Sequence, residues 1–360
     1  MDRVALETPD AQHSGAEHPF VPDSGGASFS EFDLTLLNAL QISPRGSWAQ
    51  IGTALGVDAT TASRRWRQLS DDGQAWITAY PVGQHHTNAY VTLECTPEAV
   101  HRVGSALCGL NCAYQVERTD GKAQYFAAVA TAGPQALDDL VHDHLSRISG
   151  VVSIRAELCL HVYHEGGGWQ PRTLDSSQRA QLTTPPSDPF PVPLKASDRP
   201  LLDALSADGR CSYAELADRC GVSETTVRRR LGTLTRSGQL AFRCDMTQQA
   251  AGWPLNAIFE VDAGADLDRV GRAVSTWPEI RLCASTSGRY NLLVYLWLRS
   301  AQDCRRVEER LVALSDNLRV DSRRVTLRPL KRMGRLLGPH GAAVGHVPLD
   351  VWRDSSPRSA

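Results

Sequence analysis

The chain has 360 residues, a formal net charge of −2 and a 42% apolar share. That length suits two to three domains. No apolar run reaches the roughly 18 residues that span a bilayer, so no membrane partner is expected, and with charge nearly balanced any nucleic-acid binding must come from a local patch.

Residues 1–28 are rich in Gly, Ser, Pro and acidic residues without periodicity, and read as a disordered tail. No basic start leads into an apolar core, so no secretory signal is expected and the cytoplasm is the expected location. The nine cysteines form no C-x-x-C pair, which fits a reducing compartment and argues against a zinc site or a disulfide framework. Residues 29–80 then read as a winged helix-turn-helix. Phe32, Leu36, Leu37 and Leu40 line the inner face of a first helix, a second runs from Ser47 to Leu55, and a third runs from Ala59 to about Ser70. Ala75–Tyr80 reads as a short strand.

Residues 86–165 alternate differently. Strands are expected at Ala89–Glu94, Tyr114–Arg118, Tyr125–Ala130 and Val151–His161, with helices at Pro97–Leu107 and Leu137–Ile148. This β-α-β-β-α-β order is a ferredoxin-like sandwich. Residues 166–194, with three glycines and the run PPSDPFPVP, read as a semi-extended linker.

The same plan then repeats. Residues 195–245 contain SYAELADRCGVSETTVRRRLGTLTRSGQLAF (Ser212–Phe242), in which Ser212 and Glu215 form a capping box, Gly221 suits a helix C-terminus and Ser223 caps the next helix. Asp33–Ile77 aligns with Asp198–Phe242 without a gap, and the shared residues include Gly56/Gly221, Thr60/Thr225, Thr61/Thr226, Arg64/Arg229 and Arg65/Arg230. Residues 253–337 read as a second sandwich, with strands at Asn256–Val261, Arg281–Ser285, Asn291–Leu298 and Arg323–Leu327 and helices at Leu267–Trp277 and Ala301–Leu314; 338–360 read as a mobile tail. The expected fold is therefore α+β: two winged helix-turn-helix domains and two βαββαβ sandwiches in tandem. The matched copies are expected to pair within one chain.

Helix-turn-helix motifs place their second helix in the DNA major groove. On that helix Val227, Leu231 and Leu234 form the buried stripe. Thr225, Thr226, Arg228 and Arg229 then face double-stranded DNA, with Arg229 best placed for a guanine edge. Arg230 lies beside the stripe and either touches phosphate or braces the fold. Thr60, Thr61, Ser63, Arg64 and Arg65 correspond in the first copy. Ser223–Arg243 carries five Arg against one Glu, whereas Asp58–Ile77 carries three Arg against three Asp, so the second module should bind DNA more strongly.

Ser212–Leu240 together with STSGRYNLLVYLWL (Ser285–Leu298) resembles the Lrp/AsnC family of bacterial transcription regulators. The resemblance implies a non-enzymatic DNA-binding regulator that self-associates through its sandwiches and responds to a small-molecule effector such as an amino acid. It places the effector loop at Ser287, Gly288, Arg289, Tyr290 and Asn291, with Thr119, Asp120 and Gly121 as the first-copy counterpart. Two departures stand out. The chain holds two copies where most members hold one, and Asn291 replaces an acidic residue that would meet an α-amino group. Sirohaem decarboxylases share this pair of domains and form the enzymatic alternative; a DNA-organising protein without sequence preference is the third. His85, His86, His142, His144, His161 and His164 cluster in the first sandwich, but His142 and His144, two apart on a helix, cannot point the same way; surface histidines are expected, with neither metal nor cofactor. The basic run Arg323–Arg335 reads as the solvated end of a domain, with an extra phosphate-contacting tail as the alternative.

Overall fold

A computed structural model describes residues 28–82, 86–183 and 192–350. Most of the expected N-terminal tail, His85, most of the PPSDPFPVP run and residues 351–360 lie outside it. In the first copy, α1 (Glu31–Ile42), α2 (Trp48–Leu55) and α3 (Ala59–Asp71) lead into β1 (Ala75–Pro81). The side chains of Ser30, Ser47 and Asp58 each accept from the backbone N–H three residues on, which satisfies donors a helix start leaves open. The turn between α2 and α3 requires φ of 70° at Gly56, a conformation glycine adopts without steric cost. The sandwich follows as β2 (Thr87–Cys95), α4 (Val100–Gly109), β3 (Ala113–Thr119), β4 (Tyr125–Thr131), α5 (Pro134–Asp139) and β5 (Val151–His164). The α5 helix starts three residues before its expected Leu137, at a proline suited to a first turn, and continues as a π-helical turn over Leu140–Leu145. A short helix, α6 (Ser176–Leu182), comes next.

The second copy contains α7 (Arg199–Ala207), α8 (Tyr213–Cys220), α9 (Glu224–Arg236) and β6 (Leu240–Met246). Its sandwich contains β7 (Leu255–Asp262), α10 (Leu267–Val274), β8 (Ile280–Thr286), β9 (Leu292–Leu298), α11 (Asp303–Val312) and β10 (Arg319–Arg332), followed by β11 (Arg335–Leu337) and β12 (Ala343–His346).

The two sandwiches pair within the chain. Their strands form an antiparallel ring in the order β10, β3, β4, β2, β5, β8, β9, β7, and β7 pairs back to β10. Two long strands make the joins. Residues 151–158 of β5 pair with β2 of their own copy, while residues 159–164 pair with β8 of the other. Likewise β10 pairs with β7 through Thr326 and with β3 from Thr326 onward. Closure removes the open strand edges that would otherwise template aggregation. Alternate side chains take opposite roles: Val91, Leu93 and Val129 belong to the core beneath α4, whereas Tyr90, Phe126 and Ala128 join Ile258, Tyr295 and Trp297 inside the ring. With both faces covered, β4 and β9 are buried throughout. The two helix-turn-helix modules are joined separately by an antiparallel pairing of β1 with β6, from Ala75 opposite Met246 to Pro81 opposite Leu240.

Three expected flexible or solvated segments are built into the fold. Between 166 and 183 the chain is not a free linker: Trp169 is buried against Trp297 of the ring and donates to the Pro278 carbonyl at 2.9 Å, and Leu174 and Leu182 are buried in the core that includes the first helix-turn-helix module. Asn38 Oδ1 accepts from the Thr173 backbone N–H at 3.1 Å, and Gln50 Nε2 donates to the Gln181 carbonyl at 2.9 Å. The Gly and Pro content concealed three apolar anchors. After Leu337 the chain continues as β12, where the Ala343 N–H donates to the Gly73 carbonyl and Asp350 pairs with Arg199. The basic run is strand rather than solvated end. Arg324 pairs with buried Glu260 at 2.5 Å, and Lys331 donates to the Cys108 and Leu110 carbonyls at the end of α4. Long side chains with partners on a neighbouring element let a basic strand be buried.

Candidate nucleic-acid interface

The α9 helix stands on a well-made support. Ser212 and Glu215 close the capping box of α8, Gly221 ends that helix at φ of 65°, and Ser223 caps α9. Val227, Leu231 and Leu234 are buried against the module's core. Thr225, Thr226, Arg228 and Arg229 are exposed. Among the described residues the Arg229 guanidinium has no side-chain partner, so its donors are available. Arg228 stacks on the Tyr213 ring, 4.1 Å from its centroid, which fixes its direction. The Thr226 hydroxyl lies 2.9 Å from that of Ser223, within the cap.

The first copy places Thr60 and Arg64 on the exposed face of α3, with Thr61 and Ser63 half-buried. The Thr61 hydroxyl donates to Asp58 at 2.6 Å.

Arg230 takes the bracing role, one of the two open to it from the sequence, and Arg65 does the same in the first copy rather than facing DNA. Arg230 binds Asp198 through Nε at 2.7 Å and Nη2 at 2.5 Å. Arg65 binds Asp33 in the same way, at 2.5 and 2.8 Å. Burial alone would raise the Asp198 carboxyl, but the Arg230 hydrogen bonds and charge outweigh it and hold the group below its usual range. These bidentate pairs tie each recognition helix to the first helix of its module. Arg243, counted above in the basic patch, turns inward onto Asp245 at 2.7 Å.

The hairpin loops face the other copy. The Ser287 N–H donates to the Leu158 carbonyl at 3.0 Å, and Ser287 Oγ accepts from the Leu158 N–H at 2.9 Å. In the mirrored place, Asp120 exchanges hydrogen bonds with Val325 at 3.0 and 2.8 Å. A Cβ on Gly288 would lie 2.1 Å from Glu157 Oε1, so any side chain there would have to displace the Glu157 carboxylate. Asn291 accepts from the Ala263 N–H and donates to the Gly264 carbonyl. Thr119 is buried, with its hydroxyl on the Ala123 carbonyl. Tyr290 is buried beside Arg155, Gly121 takes φ of 77° in the first turn, and Arg289 remains exposed. Both hairpins thus hydrogen-bond across the joins between the copies.

A feature the sequence reading missed lies between the β1/β6 pair and the near end of the ring. It is a cavity of about 490 Å³ lined in part by Arg243, Arg281 and Arg332. Its cue was an arginine opening an otherwise apolar strand, at Arg281. Among the described residues no cluster of His, Cys, Asp and Glu could hold a metal, and no helix is long and apolar enough to cross a membrane.

Residues 29–70 and 196–235 match the AsnC-type helix-turn-helix domain, and residues 88–169 and 256–335 match the Lrp/AsnC ligand binding domain. An uncharacterised HTH-type transcriptional regulator of Pyrococcus abyssi is 30% identical over 130 residues, which cover 36% of this chain and 82% of the relative. The chain belongs to the Lrp/AsnC family of DNA-binding transcriptional regulators. LrpA of Pyrococcus horikoshii is 28% identical over 108 residues, 29% of this chain and 77% of LrpA. The leucine-responsive regulatory protein of Rhizobium meliloti is 31% identical over 108 residues, 29% of this chain and 69% of that protein. Two of these three Lrp/AsnC relatives come from Pyrococcus, so membership does not support the bacterial origin expected above. The siroheme decarboxylase NirDL, solved with an iron-uroporphyrin III analogue, covers 84% of this chain and 93% of its own at a TM-score of 0.58. At 14% identity that likeness is one of fold.

Proposed function

We propose that this Lrp/AsnC protein is a sequence-specific regulator that reads DNA chiefly through α9, by Thr225, Thr226, Arg228 and Arg229, and more weakly through α3, by Thr60, Thr61, Ser63 and Arg64. The observation that carries this reading is the exposed, uncommitted Arg229 guanidinium on a capped and packed recognition helix. Its neighbour Arg230 is spent on Asp198, which leaves Arg229 as the helix's base-reading candidate. Such a protein works in the cytoplasm, with the genome, and responds to a small molecule. Selection from a random-sequence duplex pool tests the reading. A recovered motif, bound in a salt-dependent manner and relaxed at one position by Arg229→Ala, is expected. Recovery of no motif above non-specific binding would overturn it.

One observation favours a second reading. The fold likeness to NirDL spans both copies, and His86 and His164 line the cavity between them. A decarboxylase acting on an iron tetrapyrrole would then use that cavity. Incubation with iron uroporphyrin III distinguishes the two: a shifted haem absorbance followed by loss of carbon dioxide would make the chain an enzyme.

A further inference from the structure

The cavity of about 490 Å³ has the size of sites that hold drug-sized molecules. Both copies build it. Tyr80, Tyr90 and Tyr114 come from the first, and Arg243, Arg281 and Arg332 from the second. Val82 and Val162 also line it and are exposed, so they mark where it opens to solvent.

Its charges are not balanced. Arg281 and Arg332 are each 4% exposed. Arg243 and Arg281 share one carboxylate, Asp245, at 2.7 and 3.1 Å. Arg332 donates to Gln248 Oε1 at 2.8 Å and lies 5.2 Å from the Trp297 ring centroid. Among the described residues it has no carboxylate within ion-pair distance. The neighbouring buried acid, Glu117, accepts from Gln115, Asn256 and Tyr295. Burial pushes its carboxyl up against the pull of Arg332, towards the neutral form. Glu165, at the exposed edge, accepts from Tyr80 at 3.1 Å. Among the described residues Asp245 is therefore the one carboxylate in ion-pair contact with these three guanidinium groups. Burial and the nearby Arg243 push Arg281 down to about 9, another sign of the same excess.

Buried cations without partners are costly, and the guanidinium fork matches a carboxylate bidentately. Tyrosine rings offer flat, apolar faces with polar tips. We propose that this cavity binds a small aromatic carboxylate, with its carboxylate on Arg332 and its rings among the tyrosines. The site is separate from the Ser287–Asn291 hairpin. Tyr80 lies on β1, which follows α3, and Arg243 lies on β6, which follows α9. An occupant thus touches the two strands from which the recognition helices extend, and its binding shifts DNA affinity. Only this last step rests on the proposed DNA-binding function.

The test is calorimetry on the full chain without DNA, using 2-naphthoate and its neutral counterpart 2-naphthamide. One naphthoate per chain is expected, about tenfold tighter than the amide. Arg332→Met, which removes the fork, and Val82→Trp, which narrows the exposed opening without disturbing the core, should each weaken it about tenfold. Absence of naphthoate binding, or binding that neither substitution changes, would overturn the site. Loss on Arg289→Ala instead would move the site to the hairpin and also overturn it. With the duplex recovered by selection, bound naphthoate should shift DNA affinity at least several-fold. Binding without that shift removes the regulatory step alone, whereas failure to bind any DNA counts against the functional reading and leaves the cavity result standing.

Discussion

Arg45 and Arg210, separated by 165 residues in the chain, make the same contacts in opposite directions. Arg45 donates to the Gly209 and Cys211 carbonyls at 2.6 and 3.0 Å; Arg210 donates to those of Pro44 and Gly46 at 2.7 and 2.9 Å. Each also lies on an aromatic ring of the other module, Arg45 5.1 Å from the Tyr213 centroid and Arg210 3.9 Å from that of Trp48. Burial and the charge of Arg45 push Arg210 down to about 10, so the two cations are held together by their carbonyl partners. The exchange locks the two helix-turn-helix modules about a local dyad.

Arg210→Met should therefore cost about 2–3 kcal/mol, since it removes two charged hydrogen bonds and leaves carbonyls unpaired. Urea unfolding measures this, and Arg45→Met should be coupled to it in a double-mutant cycle. Additive effects of the two substitutions would mean that they do not act on one interface.

Arg229 and Arg230 are adjacent but should separate cleanly. Arg230→Ala breaks the half-buried pair with Asp198 and should lower stability by about 1–3 kcal/mol. Arg229→Ala should leave the melting temperature unchanged and cost about 1–3 kcal/mol in specific DNA binding. Thermal melts beside DNA titrations show the split, and a stable Arg230→Ala protein would contradict the bracing role.

The two recognition helices should remain unequal after the inward-turned arginines are discounted. On α9, Arg228, Arg229 and Arg236 are exposed with Glu224; on α3, Arg64 and Arg67 are exposed, and Asp58, Asp71 and Asp72 oppose them. Cutting the chain between copies would open the shared ring, so point substitutions are the proper comparison. Arg229→Ala should reduce the salt slope of binding by about one, and Arg64→Ala by less. An equal or larger effect at Arg64 would show that local charge does not rank the modules.

Leu182, 0% exposed, pins the chain between copies to the first module. Leu182→Ala should cost about 2–5 kcal/mol, the range for truncating a buried leucine. Protease digestion should then cut the 166–183 segment faster, which separates local release from general destabilisation.

Acid should weaken the fold through His164 and His346. Burial, with Arg281 in one case and Arg335 in the other, lowers both to about 4 from the usual 6.5. Above pH 6.5 both histidines are neutral in the folded and unfolded chain. Between 6.5 and 4 the unfolded chain takes up protons that the folded chain refuses, so stability falls by at most about 1.4 kcal/mol per pH unit for each imidazole. Denaturant midpoints at pH 7 and 5.5 measure the loss, and His346→Gln should flatten it.

Caps, turn glycines and apolar spacing are local signals, and they were legible in the chain. Ser212 with Glu215, Gly56 and Gly221, and the Val227–Leu231–Leu234 stripe gave both recognition helices, and the 165-residue repeat gave two matched units whose pairing could be expected. Which arginines remain free was not legible. Arg229 and Arg230 are neighbours of one type, and the difference lies in Asp198, 32 residues away in sequence from Arg230 and brought beside it by helix packing. The Trp169–Leu182 anchor and the basic strand β10 were hidden for the same reason. Composition marks a Gly- and Pro-bearing or arginine-rich segment as solvated, but burial depends on the partner surface that folding supplies. The cavity is the extreme case, because its arginines and tyrosines come from both copies and meet only once the ring closes.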